Sequence, residues 1–588
     1  MISAVPVAKC LRSFLFAVLC LAVCARSSAA AGARPGMGGC GAVGQGFASE
    51  GACPAFDSEN GCDNVRAEMF MDAAGARMGM SGCGAEGQVF ADAGQKAPGT
   101  EGNGAPGTVC EDIEAYIRTA TASGPLSSAQ IGVMAVKFGG DTVVAWNSGR
   151  MLVPASNAKL ISTGLALHGL GSSYRFKTTL AYSGSISGGT LHGDLYIIGG
   201  GDPTLGAKDS IAVQAQTLFS RWKSMIRSAG IERIEGRVIG DGRFFDGPES
   251  HGSWLAEDLG TYYGTGGNAL SFYRNVKDFT VTAGASAGDP LKITEGYPDT
   301  PWMNYQFFCS TGRKGTGDML YLYATDLYPV AELRGTLASD RKTKKVECSN
   351  KFGTYTCAWY FCKYLCDNGL EVTEGPSDIA PRGFVRSLPG TYSGTDPASD
   401  LTIIGETLSP EISRIAYITN MRSDNFYAEA LYRILGREMT GSACYDSCAV
   451  AQGRALSGLG LLTSGSAHLV DGSGLSRKNL VSPAFFCSFL HRMMELPEFP
   501  DYIRSLPQPG VGTQVGRMRY EDASARERVY YKSGSMEGVR CYSGYVVPTD
   551  GGKEDTVIFS VMVNNYTGPS WKLLNTIDHI IALIAATN

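Results

Sequence analysis

The chain has 588 residues, 44% of them hydrophobic. That is enough to bury several cores in more than one domain, which excludes a small stapled scaffold. The formal net charge is −5 and no long Lys/Arg run occurs, so nucleic acid and anionic membrane surfaces are excluded as expected partners.

In chain order, Lys9 and Arg12 give a positive start, Ser13 to Cys24 is an apolar run too short to span a bilayer comfortably, and the small residues from Ser27 to Ala33 offer cleavage sites. Residues 1–31 therefore read as an export signal, with a mature start near Ala31 to Arg34 and no membrane association required afterwards. A retained anchor is the alternative. Export would expose all but Cys10, Cys20 and Cys24 of the 17 cysteines to an oxidising compartment, where disulfides are allowed.

Residues 32–108 are rich in Gly and Ala, and GARPGMGGCGAVGQGFASEG from Gly32 is echoed by GARMGMSGCGAEGQVFADAG from Gly75. Two copies with so few large apolar side chains cannot stack as a solenoid, so a flexible, partly disordered extension is expected, pinned by Cys40, Cys53, Cys62 and Cys83.

Globular patterning starts near Cys110. Asp112 to Thr121 is predicted helical, and QIGVMAVKF and TVVAWN are predicted as two strands of a hairpin turning at Gly139-Gly140-Asp141. A helix follows from Ser156. From about Thr179 to Leu388 the chain is rich in strand and turn residues and reads as an inserted β-rich unit over residues 181–388. Beyond it, DNFYAEALYRILGREM has helical period, RVYYKSGS, YSGYVV and TVIFSVMVNN read as three consecutive strands, and SWKLLNTIDHIIALIAA closes the chain as a helix. Strands covered by terminal helices make an α/β or α+β core. The predicted catalytic domain is thus discontinuous, residues 109–180 and 389–588.

Cys309, Cys348, Cys357, Cys362 and Cys366 crowd one stretch without paired C-x-x-C units or neighbouring histidines, and the chain has only 6 His. This argues against a zinc site and for local disulfides. Cys444 and Cys448 suit a disulfide in a loop but not inside a regular helix.

Three short motifs carry chemistry. In Pro154-Ala155-Ser156-Asn157-Ala158-Lys159 the hydroxyl of Ser156 and the amine of Lys159 stand one helical turn apart on one face. A buried lysine there can lose its proton and act as base to an otherwise poor nucleophile. The bland alternative is a helix-capping serine followed by a surface lysine. Ser423-Asp424-Asn425 opens the second helix, where Ser or Asp could simply be a cap. Lys532-Ser533-Gly534-Ser535 lies in a strand. There Lys532 offers charge to a carboxylate and Gly534 permits close backbone approach, or the two merely decorate a strand face and mark a bulge.

Together and in this order, Ser-x-x-Lys, Ser-Asp-Asn and Lys-[Ser/Thr]-Gly form the triplet of the penicillin-binding proteins and class A β-lactamases. The segments MLVPASNAKLIST, ITNMRSDNFYAEAL, VDGSGLSRKNLVSP and YYKSGSMEGVRCYSGYV, with GGGDPTL and YYGTGGNALSFYRN inside the insert, resemble the D-Ala-D-Ala carboxypeptidase/endopeptidases of the low-molecular-mass, class C penicillin-binding proteins. The resemblance runs from about Cys110 to Asn588, and the long insert between the first two motifs fits that subfamily and leaves no room for a compact β-lactamase. It implies an antiparallel sheet flanked by helices, with a helical subdomain. It also implies an enzyme that cuts D-alanyl bonds in peptidoglycan stem peptides through an acyl-enzyme and is acylated by β-lactams, with no metal and no organic cofactor.

The same resemblance gives Ser156 as nucleophile and Lys159 as its base. Ser423 becomes the proton relay to the leaving amine, Asn425 holds the substrate amide and Lys159, and Lys532 supplies positive potential. Ser533, Gly534 and Ser535 line the carboxylate site, and the backbone N–H groups of Ser156 and Ser535 form the oxyanion hole. Ser533 stands where the family usually has Thr and keeps the hydroxyl. Rival readings are a serine β-lactamase and a non-catalytic wall-binding protein. Asp471 to Ser476 reads as a shaping turn, Asp241 and Asp246 as a strand-end turn with a lesser claim on a substrate amine, and His168 and His491 as structural.

Overall fold

A computed structural model describes residues 109–379, 400–550 and 552–587. The expected export signal, the Gly-rich repeat and part of the boundary near Leu388 lie outside the described residues.

Alternating and continuous apolar runs at the two ends of the described chain build one antiparallel sheet of five strands. Its order is Thr142–Trp146, Gln130–Lys137, Val557–Asn564, Val539–Val546 and Val529–Met536. The middle strand, VIFSVMVN, is buried along its whole length, as a strand covered on both faces must be. On one face Val133, Ala135, Phe559 and Val561 pack with Ile113, Ile117, Ile577 and Ile581 of the helices Val109–Thr121 and Ser570–Ala585. On the other, Met134, Val136, Ile558 and Met562 meet the helices Ala158–Leu170 and Pro483–Glu495. The two sets alternate along each strand, as the pleat requires. Gly132 lets the second helix layer come close, since a Cβ there would stand 2.8 Å from Pro483.

Ala158–Leu170 has ten of its residues buried in succession and forms the hub of a helical cluster with Ile412–Arg422 and Asn425–Thr440. A helix hydrophobic all round belongs at the centre of such a cluster. The fold is therefore the mixed α/β arrangement expected, a sheet between helical layers with a helical subdomain beside it.

Between the first two motifs the chain builds a mixed five-stranded sheet, ordered Gly375–Ile379, Arg237–Asp241, Leu195–Ile198, Lys177–Tyr182 and Thr402–Leu408. Two three-stranded sheets follow, Lys292–Glu295 with Val276–Thr282 and Thr343–Ser349, and Asn304–Gly312 with Val330–Ala338 and Tyr321–Ala324. This segment also holds two full helices, Ala215–Ser228 and Gly353–Asp367, so the insert is β-rich as expected, with helices packed among its sheets. The second helix carries three of the crowded cysteines. Its Cys357, Cys362 and Leu365 are buried with Phe361 against the sheet, so the cysteines serve as small apolar side chains.

The disulfide expectation is corrected. Cys309, Cys348, Cys357, Cys362, Cys366, Cys444, Cys448, Cys487 and Cys541 are all free thiols. Cys444 precedes the helix Tyr445–Gly458 and donates to Ser447 Oγ at 3.1 Å, while Cys448 is buried within that helix. No helix among the described residues is long and apolar enough to cross a membrane.

Candidate active site

The first motif begins in a tight turn. Ala155 has φ of 47°, a left-handed conformation that strains a residue with a Cβ, and residues Ala155–Asn157 form a single 3-10 turn that feeds Ala158–Leu170. Ser156 is thus not the helix cap, and Lys159 is not a surface lysine. Lys159 is fully buried, and its Nζ donates to Ser156 Oγ at 2.8 Å, to Asn425 Oδ1 at 2.6 Å and to the Ser473 carbonyl at 2.6 Å. Its three donors meet three acceptors, which is what makes a buried ammonium tolerable. Burial still lowers its pKa to about 8, against the opposing pull of Glu429, Asp471 and Asp424.

The second motif sits where the helix Ile412–Arg422 gives way to Asn425–Thr440. Ser423 takes the left-handed conformation, φ 57°, that ends the first helix. Asp424 caps the second, accepting from the Tyr427 N–H at 3.0 Å. The cap is therefore Asp424, which leaves the side chains of Ser423 and Asn425 free for the cleft. Asn425 Nδ2 donates to the Tyr263 carbonyl at 2.8 Å, and Arg274 forms an ion pair with Asp424. Both partners belong to the segment between the motifs.

The third motif lies on Val529–Met536, an edge strand of the central sheet, whose outer side borders the cleft as a place where a ligand strand can pair, although the Tyr531 N–H already donates to the Pro507 carbonyl. Lys532 is fully buried rather than displayed on a face. Its Nζ donates to Ser423 Oγ and to the Ser533 carbonyl, at 2.8 and 2.6 Å. Burial, and then the Lys159 charge, hold its pKa well below the ordinary lysine value. Ser533 Oγ accepts from Gln514 Nε2 at 2.8 Å. Gly534 meets no bulge; it permits contact. A Cβ there would stand 2.3 Å from the Pro154 carbonyl and 3.1 Å from the Ser156 nitrogen. The edge strand is thereby pressed against the turn that carries Ser156, and Ser535, the next residue, faces the same cleft as Ser156.

The loop from Asp471 supports this arrangement from below. Asp471 accepts from the N–H groups of Gly474 and Ser476, from Asn479 Nδ2 and from Trp254 Nε1, all within 2.9 Å, the shaping turn expected of it. Glu429, one turn beyond Asn425, accepts from the Ser473 N–H at 2.7 Å. It was not among the sequence candidates; a glutamate in the middle of a buried helix was the available signal. Burial, then the Asp471 charge, raises its pKa to about 7. Arg274, Tyr263 and Gln514 also enter only with the fold.

The remaining candidates lie elsewhere. Asp241 is held by its neighbour Arg243, Asp246 accepts from Ser442 Oγ at 2.6 Å, His168 faces Glu498 at the surface, and His491 stacks on Phe138.

Above Ser156 opens a cleft of ≈ 940 Å³ whose walls include Ser423, Asn425, Arg274, Gly474 and Ser535. A serine hydroxyl on a buried lysine amine, under an open cleft and beside an edge strand, defines the class: a serine hydrolase on a sheet-and-helix-cluster fold. The model of the D-Ala-D-Ala carboxypeptidase 3 (S13) family matches residues 113–587, and the chain belongs to that family.

Among relatives, the chain is 29% identical over 477 residues to a D-alanyl-D-alanine carboxypeptidase of Actinomadura sp., covering 78% of this chain and 81% of the other. It is 22% identical over 452 residues to the D-alanyl-D-alanine carboxypeptidase DacB of Haemophilus influenzae, covering 74% and 86%. The fold is similar to the crystal structure of penicillin binding protein 4 (dacB) from Haemophilus influenzae, with a TM-score of 0.64 and 20% identity over 81% of this chain and 98% of that one.

Proposed function

We propose that the protein hydrolyses D-alanyl peptide bonds of peptidoglycan stem peptides and cross-links, with Ser156 as nucleophile. One observation carries the reading: hydrogen bonds tie both other motifs to the second, Ser156 to Asn425 through Lys159, and Lys532 to Ser423, with Ser423 and Asn425 two residues apart on one turn.

Ser156 Oγ attacks the carbonyl of the D-Ala-D-Ala bond and its proton passes to the free amine of Lys159. With a pKa of about 8, about one-tenth of Lys159 is already in that form at pH 7. The oxyanion is received by the backbone N–H groups of Ser156 and Ser535. The C–N bond then breaks, and the leaving amine takes its proton through Ser423, which Lys532 holds in place. Asn425 keeps Lys159 oriented and meets the substrate amide. Lys532, Ser533 and Ser535 receive the terminal carboxylate across the gap that Gly534 keeps narrow. Water enters by the reverse route and frees the acyl group.

The catalytic domain is assigned residues 109–180 and 389–588, with residues 181–388 inserted; the strands Lys177–Tyr182 and Thr402–Leu408 that flank the insert pair with its sheet. The protein is exported on the signal of residues 1–31 and works in the periplasm or cell envelope. β-Lactams acylate Ser156; the related Haemophilus influenzae protein has been crystallised complexed with a β-lactam.

Mass spectrometry after incubation with a defined muropeptide tests the reading. Loss of terminal D-Ala, or split cross-links, is the expected result. Acylation of Ser156 by penicillin with neither product overturns it, and rapid turnover of penicillin without a lasting adduct would make the protein a β-lactamase.

A further inference from the structure

The cleft does not end at the reacting groups. Its far wall is the strand Tyr321–Ala324, an edge strand of the smaller inserted sheet, in which exposed and buried residues alternate. Leu322 is buried in the core beneath, which turns Tyr321 and Tyr323 outward on one face, about 7 Å apart by strand geometry. Tyr262 joins them from the opposing loop. The three are 44%, 37% and 48% exposed, and all line the same cleft as Ser156. Past Tyr262 and Tyr321 the cleft continues into a second hollow of ≈ 390 Å³, which shares Tyr262, Tyr263, Tyr321 and Glu347 with the first and adds Lys344 and Lys345. Arg334 lies over the Tyr323 ring, 4.9 Å from its centre, and steadies it.

Three tyrosine rings presented to solvent inside one cleft are costly unless a ligand covers them. A D-Ala-D-Ala terminus brings only methyl groups and a short backbone, and the edge strand and the lysines already provide for it. The first cavity alone lies at the upper end of the range that encloses a drug-sized ligand. Tyrosine faces carry negative charge density and a polar hydroxyl at the rim. They match the C–H face of a pyranose ring, whose hydroxyl and acetamido groups would reach the Glu347, Lys344 and Lys345 side of the second hollow.

We propose that Tyr321, Tyr323 and Tyr262 form a saccharide platform that binds the N-acetylated sugar to which the stem peptide is attached. The inference rests on the D-alanyl peptidase reading and deepens it: the substrate is a glycan-bearing muropeptide or intact wall, recognised at both ends.

The test compares kcat/KM for a disaccharide-pentapeptide with that for the same pentapeptide lacking sugar, in the full chain and in Tyr321→Ala/Tyr323→Ala. The wild-type protein should prefer the sugar-bearing substrate by about tenfold, the scale of two aromatic contacts, and the variant should lose that preference. A wild-type ratio near one, or a ratio unchanged in the variant, overturns the platform. Sedimentation with peptide-stripped glycan strands supplies an independent measurement: wild type should co-sediment and the variant should not, and co-sedimentation by neither overturns the platform. Failure to cleave either substrate counts instead against the peptidase reading, since glycan binding is still read by sedimentation. Saturable binding of an unrelated apolar peptide to the tyrosines, with no binding of glycan, would assign the surface to a protein partner and also overturn it.

Discussion

Lys159 and Asp471 grip opposite ends of one peptide unit. The Ser473 carbonyl accepts from Lys159 Nζ at 2.6 Å, and the Gly474 N–H of the same amide donates to Asp471 Oδ1 at 2.8 Å. The Ser473 N–H is meanwhile held by Glu429 at 2.7 Å. Asp471 polarises the amide whose carbonyl meets Lys159, and Glu429 holds the amide before it, so the two acids support the base role proposed for Lys159.

The pH dependence of acylation follows with a definite sign. Only the free amine of Lys159 accepts a proton, so the rate should rise with pH and level off above about 8. Glu429 and Asp471 both favour the ammonium, so Glu429→Gln should let the Lys159 pKa fall further and move the acid limb to lower pH. A pH profile of penicillin acylation, followed by stopped-flow, checks this. An acid limb that stays in place or moves upward would remove Glu429 from the control of Lys159.

Gly534 makes the oxyanion geometry testable without touching a polar side chain. Gly534→Ala would drive a methyl group into the Pro154 carbonyl and toward the Ser156 nitrogen, separating the edge strand from the nucleophile turn. Acylation should fall by about 10²-fold or more, the cost of losing an oxyanion donor, while Tm drops by only a few degrees, about what ~1 kcal/mol of strain produces. Paired stopped-flow and calorimetry measurements separate the two effects.

Arg274 joins the inserted segment to the second motif through Asp424, and Asp209 is held by Arg422 and by Tyr427, whose hydroxyl donates at 2.6 Å. Removing one partner of a buried pair strands the other, at about 3–5 kcal/mol. Arg274→Ala should therefore lower thermal stability and, because Asp424 caps the helix carrying Asn425, slow acylation as well. Thermal unfolding and penicillin labelling of the same preparation measure both; a variant as stable and as reactive as wild type would make the insert irrelevant to the site.

Ser533 tests carboxylate recognition. Ser533→Thr keeps the hydroxyl near Gln514 and should preserve kcat/KM to within about threefold. Ser533→Ala should raise KM by about tenfold or more for a peptide with a free terminal carboxylate, as loss of a hydrogen bond to a charged group does. An amidated peptide should show no such difference. Steady-state kinetics on the two peptides provide the comparison.

Much of the fold was legible from local chemistry. The hairpin at Gly139-Gly140-Asp141, the three consecutive strands and the closing helix follow from alternation, helical period and turn residues, which act over a few neighbours. The helix Gly353–Asp367 was missed because cysteines and aromatics there suggest cross-linking as readily as packing, and only its burial against the inserted sheet decides between them. Ser156, Lys159, Ser423, Asn425 and Lys532 were nameable from the sequence because their order and spacing recur as a set.

What the sequence by itself determined is the three motifs proposed to react and the elements that carry them. What only the tertiary structure decided is their environment: that Lys159 and Lys532 are buried, that Gly534 closes on the Ser156 turn, and that Glu429, Asp471 and Arg274 surround the motifs. The reason is physical. A side chain's proton affinity and reach depend on desolvation and on partners that can lie hundreds of residues away, as Asn425 does from Lys159, and no local pattern encodes them.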